Sequence, residues 1–201
     1  MRLIVGVTGG IGSGKSTAAH LFQQRGADLV DTDAIAHELT QPGQPVLDEI
    51  AAVLGRRFFT ADGSLDRAKL RDCVFGDPAA RKALEAILHP MIAREVEHRL
   101  LRSSAPYVLL LVPLLVETGG YRDLVQRVLV VDCDEPLQVQ RAMQRSGLTE
   151  REVRAVMDAQ ATRGERLAAA DDLIHNDGSL EELEKQVDML DARYRTMVDA
   201  G

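Results

Sequence analysis

Apolar and polar positions follow two rhythms along this chain. Short runs that are almost wholly apolar recur at Leu3–Thr8, Tyr107–Val112 and Arg127–Val131, with shorter ones at Asp28–Asp31 and Asp172–His175. Strands apolar on both faces belong to parallel sheets that are covered on both sides. Between them lie longer stretches with helical spacing: Thr17–Gln24, Ala34–Leu39, Ala79–Leu101, Pro136–Arg145 and Leu180–Val198. In the last of these, Leu183, Val187, Leu190, Tyr194 and Met197 fall on one face, as in a helix packed on a sheet. Thr149 with Glu152, and Ser179 with Glu182, have capping-box spacing. Asp77-Pro78 reads as a cap followed by a first-turn proline. The pattern predicts an α/β fold with a five-stranded parallel sheet and crossover helices.

One interval breaks the alternation. From Asp33 to Arg102 only helical patterns and one turn, Thr60–Ser64, occur, which is too long for an ordinary crossover. It predicts a helical insertion, 33–102, in a core formed by 1–32 and 103–201. The Arg-rich stretch 141–166 predicts a mobile cover. His89-Pro90 interrupts the Ala79–Leu101 pattern, since proline lacks the N–H and disfavours helix at the residue before it. A kink there either turns the imidazole into a cleft or leaves it a hydrogen-bonded structural group.

Composition narrows the function classes. Aromatic residues are 3% and Trp is absent, so the core must be aliphatic. Lys plus Arg is 24 against 31 Asp plus Glu, a net charge of −7, which argues against a general nucleic-acid-binding role. The two cysteines, Cys73 and Cys133, lie in apolar stretches and predict buried, reduced thiols. The amino-terminal apolar stretch is too short for a secretory signal, and the run Tyr107–Val116 is too short to span a bilayer. A cytoplasmic protein with no membrane partner is expected, as a monomer or weak homo-oligomer.

The strongest motif is Gly9-Gly10-Ile11-Gly12-Ser13-Gly14-Lys15-Ser16, followed by Thr17. It matches the phosphate-binding loop G-x-x-x-x-G-K-[ST], with an apolar strand before it and a helical pattern after it. Its glycines let successive N–H groups converge on phosphate oxygens, and the helix adds its positive end. Lys15 should reach the β- and γ-phosphates, and the Ser16 hydroxyl should ligate Mg2+. A nucleoside triphosphate is implied. No guanine-reading N-K-x-D segment is present, and the strand Tyr107–Val112 runs into Pro113 with an acid only at Glu117. Both features favour a small phosphotransferase over a switch or a mechanical ATPase.

Asp31-Thr32-Asp33 ends the second strand, where open parallel sheets face their ligands. Asp33 either accepts the proton of an acceptor hydroxyl or, like Asp31, caps the next helix. Arg141 and Arg145 share a helix face, and Arg163 and Arg166 follow. These guanidinium groups suit phosphate or a flat base, or else pair with Glu135, Glu150 and Glu152 on a solvated face.

Taken together, the motifs resemble the dephospho-CoA kinase family. The resemblance is carried in order by Leu3–Thr17, Asp31–Ala36, Asp62–Arg67 with Leu70 and Phe75, Leu84–Pro90, Pro113–Glu117, Gln160 and Ala170–Gly178. It implies a nucleoside-monophosphate-kinase-like core, a helical substrate lobe and a lid. The implied reaction moves the γ-phosphate of ATP to the ribose 3′-hydroxyl of dephospho-CoA. By the resemblance, Asp33 is the base or the carboxylate that orients the acceptor hydroxyl, with Lys15 the second catalytic residue. Thr8, Asp31, Arg67 and His89 lie on the acceptor side, and Pro113, Leu114 and Glu117 line the cleft. Arg141 and Arg145 belong to the lid, and Asn176 sits near the adenine. Val116 stands where the family usually has Phe, and Val156 where many members have Arg. The alternatives are a kinase for another small acceptor, such as a nucleoside monophosphate, and a non-enzymatic ATP-binding switch.

Overall fold

The apolar runs pair into one sheet. In the computed structural model, which describes residues 2–200 apart from the side chain of Phe75, the strands are β1 (Leu3–Thr8), β2 (Asp28–Asp31), β3 (Tyr107–Leu111), β4 (Arg127–Asp132) and β5 (Asp172–His175). Their order is β2-β3-β1-β4-β5, and every pair is parallel. The central strand β1 is flanked by later strands on both sides, which places its carboxyl end at the switch point of the sheet. All five residues of β3 are buried, as its unbroken apolar run requires.

The chain clusters into two compact units, one of residues up to Asp31 and from Ser103 onward, the other Thr32–Arg102. In the first unit, α1 (Lys15–Gln24) and α10 (Leu180–Asp199) cover one sheet face. Ala18, Ala19 and Phe22 meet Leu183, Val187 and Tyr194 over Val5, Val7, Leu109, Leu129 and Ile174. With few aromatics available, three are stacked together. Phe22, Tyr107 and Tyr194 have ring centroids 5.4–6.4 Å apart. Each buried tyrosine hydroxyl donates to a carboxylate, Tyr107 to Asp191 at 2.6 Å and Tyr194 to Asp172 at 3.0 Å. Burial raises both hydroxyl pKa values, so the phenols stay protonated donors.

The Asp172 side chain is fully buried at the start of β5 and takes Arg127 in a two-oxygen grip at 2.6 and 3.0 Å. Arg193 adds a bond at 2.7 Å. Next to it, Asp171 accepts from the Val128 amide at 2.7 Å. The Ala-Asp-Asp segment thus ties β4, β5 and α10 together.

The rest of this unit comprises α6 (Leu115–Thr118), α7 (Glu135–Ser146), α8 (Glu150–Asp158) and α9 (Arg163–Ala169). Both expected capping boxes are present, at Thr149/Glu152 and Ser179/Glu182, and a third occurs at Thr162/Glu165. No helix among the described residues is long and apolar enough to cross a membrane.

The second unit holds α2 (Thr32–Leu39), α3 (Val46–Leu54), a short 3-10 turn (Arg56–Phe58), α4 (Arg67–Gly76) and α5 (Pro78–Arg102). Ile35, Val46, Ile50, Phe58, Ile92 and Val96 are buried within it. Two expectations need correction. The interval is not helices and a turn alone, because Phe59 and Leu65 form an antiparallel bridge around Thr60–Ser64. And α5 runs unbroken through Pro90. His89, Pro90 and Ala86 are all exposed, so the helical bond that Pro90 cannot donate to the Ala86 carbonyl is lost on the solvent side of α5. The Asp77 carboxylate caps α5 as expected, accepting from Ala79 at 2.9 Å and Ala80 at 3.2 Å.

The cysteines also differ from expectation. Cys133 is buried, but Cys73 is only partly so, because Leu70 is the one fully buried side chain of α4 among those described. Nor is Cys133 in purely apolar surroundings, since Arg141 reaches its sulfur at 3.5 Å. Burial pushes the Cys133 thiol up to about 11. At pH 8 it is therefore almost wholly protonated, and iodoacetamide should alkylate Cys73 well before Cys133, as read by peptide mass. Asp172→Ala leaves Arg127 and the Tyr194 hydroxyl without their partner. It should lower stability by about 3 kcal/mol, read as a lower urea midpoint with an unchanged m-value.

Candidate active site

The loop after β1 is built for close approach. Gly12 and Gly14 have φ of 73° and 90°, left-handed values that L side chains rarely adopt. A Cβ on Gly12 would strike the backbone carbonyl of Gln138, and one on Gly14 would strike the Asn176 amide. The helix that follows begins without a side-chain cap and with no acidic residue in its first turn. The Ser16 and Thr17 amides meet no backbone acceptor among the described residues. Ser16 and Thr17 are exposed. An open helix amino terminus at the carboxyl edge of a parallel sheet is a ready anion site.

Side chains from distant parts of the chain fix this loop. Asn176, just past β5, donates to the Ser13 carbonyl at 2.7 Å. Gln160, between α8 and α9, accepts from the Ile11 amide at 3.0 Å. Gln138 on α7 is buried against Gly10 and Gly12 and donates to the Cys133 carbonyl. The Lys15 ammonium lies on the carbonyls of Gly9 and Gly10, at 2.7 and 2.9 Å.

Register places the other candidates of the first unit. Asp31 pairs with Leu111, and Leu111 with Val7, so Asp31 ends its strand level with the end of β1. The Thr8 hydroxyl donates to the Pro113 carbonyl at 3.1 Å. Leu114 is largely exposed. Glu117 is turned to the α8–α9 junction, accepting from the Ala161 amide at 2.8 Å. Arg141 donates to the Asn176 carbonyl at 2.7 Å, while Arg145, one turn on, is exposed. Asn176, expected near a base, has its side chain on the loop itself. A cleft of about 320 Å³ beside the loop is lined by Arg154, Gln160, Arg163 and Arg166 with Glu135 and Asp158. Arg163 is committed to Asp132 at 2.7 Å and Asp134 at 2.8 Å.

In the helical unit, Asp33 stands in the first turn of α2. It shares a cleft of about 360 Å³ with Arg67, walled by Leu65, Leu70, Val74 and Leu84. Arg67 Nη2 donates to the Thr40 hydroxyl at 2.8 Å and to the carbonyls of His37 and Thr40, which neutralises the negative end of α2. His89 is exposed and does not line that cleft.

The comparisons with known proteins fit this geometry. The family model described as Dephospho-CoA kinase matches residues 3–182. The dephospho-CoA kinase of Thiobacillus denitrificans is 57% identical over 193 residues, covering 96% of both chains. The chain belongs to the dephospho-CoA kinase family. A crystal structure of a Thermus thermophilus protein superimposes with a TM-score of 0.84 at 37% identity, covering 96% of this chain and 97% of that one. The dephospho-CoA kinase from Campylobacter jejuni superimposes with a TM-score of 0.71 at 26% identity over 98% of each chain.

The burial of Gln138 and Arg166 beside Gly10 was not among the expectations from sequence. Gln138 is a polar residue on the buried face of α7, and polarity there points outward by default. For Arg166 a signal did exist. Thr162-x-x-Glu165 has capping-box spacing, which starts α9 at Arg163 and puts Arg166 on its inner side. Gly12→Ala should weaken binding of ATP about tenfold or more by calorimetry while the protein remains folded by circular dichroism, since the clash is confined to the loop.

Proposed function

We propose that this chain transfers the γ-phosphoryl group of ATP to the ribose 3′-hydroxyl of dephospho-CoA, giving CoA and ADP, with the loop Gly9–Thr17 holding the donor and Asp33 serving the acceptor. The observation that carries this reading is the uncapped amino terminus of α1 at the carboxyl end of β1, in a member of the dephospho-CoA kinase family.

Phosphoryl transfer leaves a protein little covalent work, so placement and neutralisation of charge dominate. The amides of the loop and of the first turn of α1 gather the β- and γ-phosphates. Lys15 exchanges the Gly9 and Gly10 carbonyls for phosphate oxygens, a short swing for a flexible ammonium. The described residues offer no cluster of three His, Cys, Asp or Glu that could hold a metal. This suits Mg2+, which takes most of its ligands from phosphate and water, with the exposed Ser16 hydroxyl as its protein ligand. When bound there, the ion supplies positive charge to the phosphate oxygens.

Asp33 accepts the proton of the acceptor hydroxyl and aims its oxygen. Its cleft joins a carboxylate and a guanidinium to apolar walls, a mixture matched to a substrate with a phosphorylated ribose and a less polar arm. Arg141 and Arg145 bring charge on α7, which with α8 acts as a cover that keeps water from the γ-phosphate. The enzyme works in the cytoplasm, without a nucleic-acid or membrane partner.

The deciding experiment is ADP release from Mg-ATP with and without dephospho-CoA, with CoA identified by mass. Strong stimulation with CoA formed is expected; slow ATPase activity that no dephospho-CoA stimulates overturns the reading. Asp33→Asn should lower kcat about 10²-fold or more while leaving the KM for ATP nearly unchanged. Lys15→Ala should impair nucleotide use whatever acceptor is offered.

A further inference from the structure

The backbone of Ala161, at the junction of α8 and α9, is held at both its N–H and its carbonyl. Its neighbour on α6, Glu117, accepts from the Ala161 N–H through Oε1 at 2.8 Å. The Ala161 carbonyl accepts from Arg166 Nη1. The Gln160 side chain accepts from the Ile11 N–H of the phosphate loop. Ile11 also inserts its side chain against Val139, Ala142 and Val153, the small core shared by α7 and α8. One residue of the loop is therefore held by the hairpin through both backbone and side chain.

Two charged side chains, one of them buried, converge on the Ala161 backbone. Glu117 Oε2 is buried and has no hydrogen-bond partner. Arg166 is 5% exposed, and among the described residues no carboxylate pairs with it. The carboxylate accepts from the peptide that precedes Ala161 and the guanidinium donates to the one that follows, so two successive peptide groups are fixed in orientation.

We propose that Glu117 and Arg166 are positioning residues for the transfer. They clamp the backbone on either side of Ala161, and through Gln160 and Ile11 they couple the phosphate loop to the α7–α8 hairpin that carries Arg141 and Arg145. The inference rests on the kinase reading above. Loss of the clamp frees the loop and the hairpin from each other, so the defect falls on ATP and on the transfer rate, not on the acceptor.

Steady-state kinetics of Glu117→Gln, Glu117→Ala and Gln160→Ala tests it, with a thermal melt of each as a folding control. Glu117→Gln keeps an oxygen that accepts from the Ala161 amide, and its kcat/KM for ATP should stay within about threefold of the parent. Glu117→Ala and Gln160→Ala should each lose about 10–100-fold in kcat/KM for ATP, with the KM for dephospho-CoA unchanged. Their double variant should be no worse than the poorer single one, since both act through the same α8–α9 junction. Glu117→Gln as poor as Glu117→Ala overturns the proposal, because the carboxylate charge would then be what matters. Additive losses in the double variant, or a raised KM for dephospho-CoA, overturn it as well. If Glu117→Ala does not fold, Gln160→Ala decides alone, and a normal kcat/KM for ATP in the folded variant overturns the coupling. A parent protein that makes no CoA overturns the kinase reading instead.

Discussion

The nucleotide end of this molecule depends on keeping one helix amino terminus open. Most helices recruit a side chain to cover their first amides, and three others in this chain do so with full capping boxes. Helix α1 does not, because Gly14 stands where a capping side chain would be. An uncovered terminus is stable only when water or an anion meets its amides. The glycines that allow the loop to wrap such an anion also make it costly to order. The chain offsets that cost from a distance: Asn176 and Gln160, 163 and 149 positions away from the residues they bind, hold the loop by its backbone.

The two ends of the sheet do different work. At the amino end of β5, Asp172 gathers Arg127, Arg193 and Tyr194 into a closed set of ion pairs and hydrogen bonds. Nothing there is left for a ligand. At the carboxyl ends of the strands stand Thr8, Asp31, Asp132 and Asn176, with Lys15, Arg141, Arg163 and Arg166 around them. These cations stand at the edge where an anionic donor would bind, in a chain whose net charge is −7. Part of that charge is already balanced. Arg163 serves Asp132 and Asp134, which joins α9 to β4 and leaves phosphate to others.

In the helical unit, the same economy appears in smaller form. Arg67 neutralises the carboxyl end of α2, and Arg99 joins α5 to α2 through Glu95 and Glu38. These bonds hold the helix that carries Asp33. The long helix α5 tolerates Pro90 because the missing bond falls on its wet side. A proline read from sequence as a break is thus only a local loss of one donor.

The sequence by itself determined the five strands, because an unbroken apolar run has no stable place except inside a covered parallel sheet. Tyr107–Leu111 is the clearest case. It also determined the phosphate loop, because glycine spacing, lysine and hydroxyl are local chemistry that needs no partner to be recognised. Helix starts marked by capping boxes were legible for the same reason. Only the tertiary structure decided what Glu117, Gln138, Gln160, Asn176 and Arg166 touch. Glu117, Gln160 and Asn176 bind backbone groups 44, 149 and 163 positions away, and the identity of a side chain carries no information about which distant backbone group will meet it. Burial of Cys73 and the path of the helix at Pro90 were likewise settled by which face met solvent. That choice belongs to the packing of whole elements, and no local pattern contains it.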